Sequence, residues 1–165
     1  MTIQELVELY AKTPEIETLR ETIGEKSVKS IFLEGLVGSS APMLFASLTA
    51  NRLSLTVFLL NDEEEAGYFY HDLKQLQGEE HVLFFPSSFR RAIKFAQRDS
   101  ANEILRTEVL TRLAAPPVSL PQQGGSGWIS IVTFPSAIAE QVMSKQQLER
   151  HTLVLRQGQT VVVDE

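Results

Sequence analysis

The sequence predicts an α/β fold in which a mostly parallel sheet carries helices on both faces. Four apolar, partly β-branched runs are predicted to be strands: Ser30–Leu36, Leu55–Leu60, Val82–Pro86 and Ile129–Phe134. The second run is apolar apart from Thr56 and partly β-branched, as expected of a strand buried on both faces. Helical patterns follow the runs, ending with a short helix at Ser136–Met143. Strands that alternate with helices indicate crossover connections and therefore parallel pairing.

Two short helices are predicted to precede this sheet. Thr2 and Glu5 form a capping-box pattern, in which each side chain accepts a hydrogen bond from the backbone N–H of the other residue. Apolar residues at helical spacing follow. Pro14, after Thr13, suits the first position of a second helix, because an N–H there would be unpaired anyway. Gly24 is predicted to end that helix.

Three longer helices are predicted between the strands. Pro42–Asn51 carries apolar residues at helical spacing. Asn61 with Glu64, and Ser100 with Glu103, are polar-to-glutamate pairs of the kind that begin helices. Apolar residues at helical spacing follow each pair, so each helix can bury one face against the sheet.

The chain is divided into three parts by these patterns. Residues 1–27 hold the first two helices, and residues 28–150 form the α/β domain. Within that domain, Ala115–Gly127 is rich in Pro, Gln, Gly and Ser and is predicted to be a mobile loop. Residues 151–165 are predicted to begin a second, β-rich domain that is truncated, with Thr152–Val163 as a β-hairpin.

Composition excludes several classes of protein. A net charge of −6 argues against a general nucleic-acid binder, whose affinity needs an excess of Lys and Arg. The absence of cysteine excludes disulfides, thiolate metal sites and cysteine nucleophiles. The three histidines show no ligand spacing, so no metal site is predicted. The N-terminus lacks the pattern of a signal peptide and no run is long enough to span a membrane, so a soluble cytoplasmic protein is expected.

A degenerate phosphate loop is predicted between the first strand and the helix that follows it. A working loop reads G-x-x-x-x-G-K-[S/T] between a strand and a helix. When Gly35 is aligned with the first glycine of this motif, Ser40, Ala41 and Pro42 fall at the second glycine, the lysine and the hydroxyl residue. The candidate loop comprises Gly35, Gly38, Ser39, Ser40, Ala41 and Pro42.

These replacements remove the chemistry of nucleotide binding. The motif's lysine meets the β- and γ-phosphates, and Ala41 has no charge. The motif's hydroxyl holds Mg²⁺, and Pro42 has neither a hydroxyl nor an N–H. No catalytic residue and no cofactor is therefore predicted in this chain. An ordinary strand-to-helix turn remains the alternative interpretation of the segment.

The order of several segments resembles the N-terminal module of bacterial transcription-repair coupling factors. The resemblance extends from about Val28 to the end, and its combination of segments is more specific than any one of them. The segments that carry it are Gly35–Ser40, Leu60–Ala66, Phe84–Ser87, Ala101–Arg106 and Ile131–Pro135.

The resemblance implies a fold. That module is similar to excinuclease B, the damage-recognition component of the excision nuclease, which has a RecA-like three-layer fold and an intact phosphate loop. In the coupling factors the loop is degenerate, as it is in this sequence. The motor of those proteins, with its ATP and magnesium, lies further along the chain.

The resemblance also implies a role. The coupling factors are ATP-dependent DNA translocases that release RNA polymerase stalled at lesions on double-stranded DNA. They recruit nucleotide excision repair through excinuclease A, another component of the excision nuclease. The contact with excinuclease A lies mainly on the domain that follows this module.

A basic patch supports an alternative function. Arg90, Arg91, Lys94 and Arg98 are interleaved with aromatic residues, a pattern that can bind single-stranded nucleic acid through phosphate contacts and stacking. A solvated loop whose aromatic residues pack on the core is the favoured interpretation, and a contact with a partner is a further possibility. A nucleotide-binding enzyme with an atypical loop is the other alternative.

Two acidic pairs follow apolar runs, as in the magnesium sites of ATPases. Asp62-Glu63 is better explained as the start of a helix, where negative charge is favourable. Asp164-Glu165 is interpreted as a pair of solvated acids, since no phosphate-binding lysine accompanies it.

Overall fold

Three parallel strands form the sheet of the computed structural model, which describes residues 1–49, 55–89, 98–114 and 129–152. The strands are β1 (Leu55–Leu59), β2 (Val82–Phe85) and β3 (Ile129–Thr133), in the order β1-β3-β2. Ile131 of the central strand is in register with Val57 on one side and Leu83 on the other. The prediction of an α/β fold with a parallel sheet is confirmed.

Seven helices accompany the sheet in the described part of the chain. The first three precede β1, and α4 and α5 are the longest. They are α1 (Ile3–Ala11), α2 (Pro14–Gly24), α3 (Ser40–Thr49), α4 (Glu63–Gln77), α5 (Ser100–Ala114), α6 (Pro135–Ile138) and α7 (Lys145–Arg150).

Helices α4 and α5 contact β2 through side chains that point in opposite directions. Phe84 stacks on Tyr70 of α4, with ring centroids 5.2 Å apart. Its neighbour Phe85 lies under the guanidinium of Arg106 in α5, 4.1 Å from the ring centroid. Successive strand residues alternate between the two faces of a sheet, so the two helices lie on opposite sides of β2.

The N-terminal helices form where the sequence predicts them. The Thr2 hydroxyl accepts a hydrogen bond from the Glu5 N–H at 3.2 Å, and the Glu5 carboxylate accepts one from the Thr2 N–H at 2.7 Å. Pro14 is the first residue of α2 and Gly24 the last. Val7 of α1 is buried in the main core, because this helix packs against α3.

The caps of α4 and α5 differ from the predicted ones by one residue each. Asp62 caps α4 by accepting the Glu65 N–H at 2.9 Å, while the neighbouring Asn61 donates to the Glu65 side chain. Asp99, which precedes the first residue of α5, accepts the Ala101 N–H at 3.0 Å. In both cases the acid next to the predicted cap takes the role, since a carboxylate is a strong acceptor at a helix N-terminus.

The predicted strand at Ser30–Leu36 is wrong. This segment pairs with no strand in the described residues. Phe32 is 84% exposed and Leu33 is 37% exposed. Apolar, β-branched composition favours an extended chain, but a strand forms only when its N–H and C=O groups find a neighbour.

The prediction that the second run is buried on both faces is also wrong. Phe58 of β1 is buried and contacts Phe45 and Phe69, with ring centroids about 5 Å apart. Val57, which points to the other face, is 54% exposed. On that side of the sheet α5 packs against β2, and among the described residues Val57 is left open.

The C-terminal part is described only to residue 152. The predicted loop Ala115–Gly127 and nearly all of the predicted hairpin Thr152–Val163 lie outside the described residues. The short helix expected at Ser136–Met143 is present as the four residues of α6. Helix α7 was not predicted, although Ser144 and Gln147 form a capping box at its start.

Candidate functional site

The candidate phosphate loop contains a turn that leads directly into α3. Gly35 and Gly38 have positive φ angles of 81° and 56°. No atom lies within 4 Å of the position that a Cβ would occupy at either glycine. The requirement for glycine here is therefore conformational, because an L side chain is strained at these angles.

The loop is closed by hydrogen bonds between Val37 and the first residue of α3, Ser40. The Ser40 hydroxyl accepts the Val37 N–H at 2.7 Å, and the Ser40 N–H donates to the Val37 carbonyl at 3.2 Å. Working phosphate loops point such backbone N–H groups at the phosphates. In this chain the Val37 N–H is already bonded to a hydroxyl, so it is not available to a phosphate.

Pro42 is compatible with helix α3 but has no hydroxyl or N–H group that could bind Mg²⁺ or a phosphate. It is the third residue of α3, in the first turn, where the N–H has no partner within the helix. The proline therefore costs no helical hydrogen bond. Its neighbour Ala41 presents a methyl group where a working loop presents an ammonium group.

A carboxylate of α4 lies against the loop. The Ser39 hydroxyl donates a hydrogen bond to Asp72 Oδ2 at 2.6 Å. The carboxylate places negative charge beside the loop, which disfavours the binding of a phosphate there. The lysine on the same helix does not compensate, because the Lys74 ammonium is 2.8 Å from Glu79. Asp72 was not predicted to be part of the site, since it lies 33 positions from Ser39 along the chain.

The other acids near the predicted site serve the helix. Asp62 caps α4, and Glu63 lies in its first turn with two further glutamates. This arrangement confirms the interpretation of Asp62-Glu63 as a helix start. Over the described ranges, no group of three His, Asp or Glu residues is placed to hold a metal ion. Asp164 and Glu165 lie outside those ranges.

The basic patch is described only at its two ends. Phe89 and Arg98 form an isolated antiparallel bridge, and Phe89 is 40% exposed. The Arg98 guanidinium lies 2.9 Å from the Glu103 carboxylate, which offsets its charge. Arg90, Arg91 and Lys94 lie outside the described residues.

A buried ion pair at the carboxyl ends of β2 and β3 was missed by sequence analysis. Arg106 is 5% exposed, and its Nη1 donates to the carbonyls of Pro86 at 2.7 Å and Ala137 at 3.1 Å. The same atom lies 3.5 Å from Glu140 Oε2. Burial lowers the pKa of Arg106, and the charge of Glu140 opposes this change.

Glu140 is held as a carboxylate by the chain that follows β2. It accepts hydrogen bonds from the Ser87 hydroxyl and, at 2.9 Å, from the Ser88 N–H. Burial alone would raise the pKa of Glu140, but these hydrogen bonds and the charge of Arg106 outweigh it and lower the pKa. A cleft of about 700 Å³ opens beside this pair and is lined in part by Phe89, Leu110 and Met143.

Comparison of the chain with protein-family models, curated proteins and solved structures finds no match. The resemblance to coupling factors therefore remains a prediction from the sequence. Among the described helices, none is long and apolar enough to cross a membrane.

Proposed function

We propose that this chain is a non-catalytic module of a transcription-repair coupling factor. In this proposal the sheet and its helices are a RecA-like, three-layer phosphate-loop domain that no longer binds ATP. The module supports the following domain, which would bind excinuclease A and so bring nucleotide excision repair to stalled RNA polymerase. The motor that uses ATP and magnesium to move on double-stranded DNA would lie in another part of the protein.

The observation that carries the proposal is the hydrogen bond between Ser39 and Asp72 beside Ala41. A working loop offers a nucleotide one ammonium group and a set of free N–H groups. Here a methyl replaces the ammonium group, and a carboxylate lies 2.6 Å from the loop hydroxyl.

The electrostatic consequence is large compared with the affinity of a nucleotide. A unit charge 4 Å from a phosphate contributes about 4 kcal/mol at an effective dielectric constant of about 20. Losing that attraction corresponds to a roughly thousandfold weaker affinity, before any repulsion from Asp72 is counted. Micromolar binding would thereby become millimolar or weaker.

Calorimetric titration with Mg-ATP tests the loss of nucleotide binding. We expect no measurable heat of binding at micromolar ATP, and excinuclease B serves as the positive control. Micromolar binding to this chain would instead favour a nucleotide-binding enzyme with an atypical loop. An Asp72→Asn variant separates the two charge effects: it removes the carboxylate, and we still expect no micromolar binding because Ala41 remains.

Capture of excinuclease A tests the proposed role. The chain and a version extended through the following domain are immobilised in turn and offered purified excinuclease A. We expect weak or no capture by the chain and clear capture by the extended version. Equal absence of capture by both would contradict the assignment to coupling factors, even if the calorimetry showed no ATP binding.

A further inference from the structure

The two outer strands of the sheet differ in how far they are covered. In β2, Val82 and Leu83 are 1% and 4% exposed, because α4 and α5 pack on the strand. In β1, three side chains that point to one face remain open: Leu55, Val57 and Leu59 are 48%, 54% and 59% exposed. Among the described residues, the face of the sheet that carries them is thus uncovered along β1.

On this side of the sheet, the exposed side chains of β1 lie beside buried side chains of β3. The residues of β3 in register with the three exposed residues are Ile129, Ile131 and Thr133. These partners are 4%, 5% and 2% exposed. The change from buried to exposed occurs within one strand spacing, which is about 4.8 Å. An apolar stripe at the edge of a sheet marks a surface where another chain can pack.

No strand of the described residues pairs with the outer edge of β1, whose other edge pairs with β3. Natural sheets block such an edge with charged side chains, proline or a bulge. The strand sequence LTVFL contains no charged residue and no proline. β1 therefore has neither a charged side chain nor a proline to prevent edge-to-edge pairing.

The sequence of β1 is complementary to itself. In an antiparallel pair of β1 strands centred on Val57, each Val57 faces the other, and Leu55 of one copy faces Leu59 of the second. All these pairs are apolar and lie on the open face. Thr56 pairs with Phe58 on the opposite face in the same register. Each strand can therefore provide the other with backbone hydrogen-bond partners and with facing apolar side chains.

Charge selects the antiparallel direction. The acidic run Asp62–Glu65 begins shortly after β1. In a parallel pair the two runs would follow neighbouring strands about 5 Å apart. In an antiparallel pair they lie at opposite ends of a strand of five residues, which spans about 17 Å. That separation exceeds the Debye length of about 8 Å at physiological salt, so the repulsion is screened.

We propose that two copies of this chain associate through β1, antiparallel and centred on Val57. The contact is isologous, since the same strand is used by both copies, and it joins the two sheets into one of six strands among the described residues. The shared edge is short compared with a standard interface of about 1,600 Å². The expected dimer is therefore weak.

Sedimentation equilibrium over a range of protein concentrations tests the proposal. The chain is expected to change from monomer to dimer as its concentration rises. Val57→Lys places two ammonium groups opposite each other and is expected to weaken the dimer at least tenfold. Ile104→Lys is the control, because Ile104 is 69% exposed on α5 and should leave association unchanged.

Charge complementation tests the register. Val57→Glu alone is expected to weaken the dimer as Val57→Lys does, but an equimolar mixture of the two variants should form a heterodimer. A mixture that stays monomeric would overturn the proposed register. A chain that is monomeric at all concentrations, or one that still dimerises fully with Val57→Lys, would overturn the proposed contact.

Oxidative cross-linking provides a second measurement that needs little change in the strand. The chain contains no cysteine, so a single introduced thiol reports on one position. Facing residues of an antiparallel pair have Cα atoms about 4.5–5.5 Å apart, within the reach of a disulfide. Val57→Cys should form a covalent dimer much faster than Ile104→Cys. Equal rates for the two variants would contradict the proposal.

Discussion

Arg106 and Glu140 form an ion pair inside the protein, with Nη1 and Oε2 3.5 Å apart and side chains 6% and 16% exposed. The pair joins α5 to the chain that follows α6, and both residues also bond the segment after β2. The carboxyl ends of β2 and β3 are thereby held to one helix. Buried charges of this kind are costly unless they are paired, so removal of one partner has a large effect.

Glu140→Gln is expected to destabilise the fold by about 2–4 kcal/mol. The glutamine keeps the shape of the side chain but removes the ion-pair partner of the Arg106 guanidinium. The free energy of unfolding is measured by urea denaturation. Glu108→Gln is the matched control, because its ion pair with Arg112 is 3.4 Å long but exposed. Its loss should cost less than about 1 kcal/mol, and equal effects of the two variants would contradict the structural role of Glu140.

The stabilising effect of Glu140 is expected to depend on pH. Its pKa is lowered in the folded protein from the ordinary value of 4.5, so the folded state binds the proton more weakly than the unfolded state. The contribution is therefore fully present above pH 4.5 and is lost as pH falls through the lower folded pKa. The difference in unfolding free energy between the wild type and Glu140→Gln should shrink as pH falls from about 6 to about 3. A constant difference over that range would contradict the lowered pKa.

The contact between Ser39 and Asp72 is expected to stabilise the loop modestly. Loss of a hydrogen bond to a carboxylate costs about 1 kcal/mol at an exposed site. Ser39→Ala and Asp72→Ala should each lower the unfolding free energy by roughly that amount, and the double variant by no more than one of them. A double-mutant cycle measures this coupling. Fully additive effects would show that the two side chains do not interact in solution.

Glycine-to-alanine changes at two positions should have opposite effects. Gly67 lies inside α4, where no atom is within 4 Å of an added Cβ. Gly67→Ala should therefore stabilise the protein by about 0.5–1 kcal/mol. Gly38 has equal space but a φ of 56°, so Gly38→Ala should destabilise it by about 1 kcal/mol. Thermal unfolding compares the two, and the same sign for both would contradict the described loop geometry.

Local features of the fold could be predicted from the sequence. The capping box of Thr2 and Glu5 acts within one turn of helix, and the structure contains it. The pairs near Asn61 and Ser100 located α4 and α5 to within about two residues, although neighbouring aspartates provide the caps. Such signals depend on residues a few positions apart, so they are visible without knowledge of the chain path.

Features that join distant segments were missed or predicted wrongly. Ser30–Leu36 has the composition of a strand, yet it pairs with nothing in the described residues. Val57 lies within an apolar run of the sequence and was predicted to be buried, yet it is 54% exposed. Composition reports what a segment can form, whereas pairing and burial depend on which elements lie beside it.

The sequence by itself determined the helix starts, which depend on neighbouring residues, and the absence of a lysine at Ala41. It also determined that β1 would have no charge with which to protect its edge. Only the tertiary structure decided that Asp72 reaches Ser39, that Arg106 meets Glu140, and that α5 covers β2 and not β1. The physical reason is range: caps and periodicity act over one or two turns, but contacts between distant residues exist only after the chain has packed.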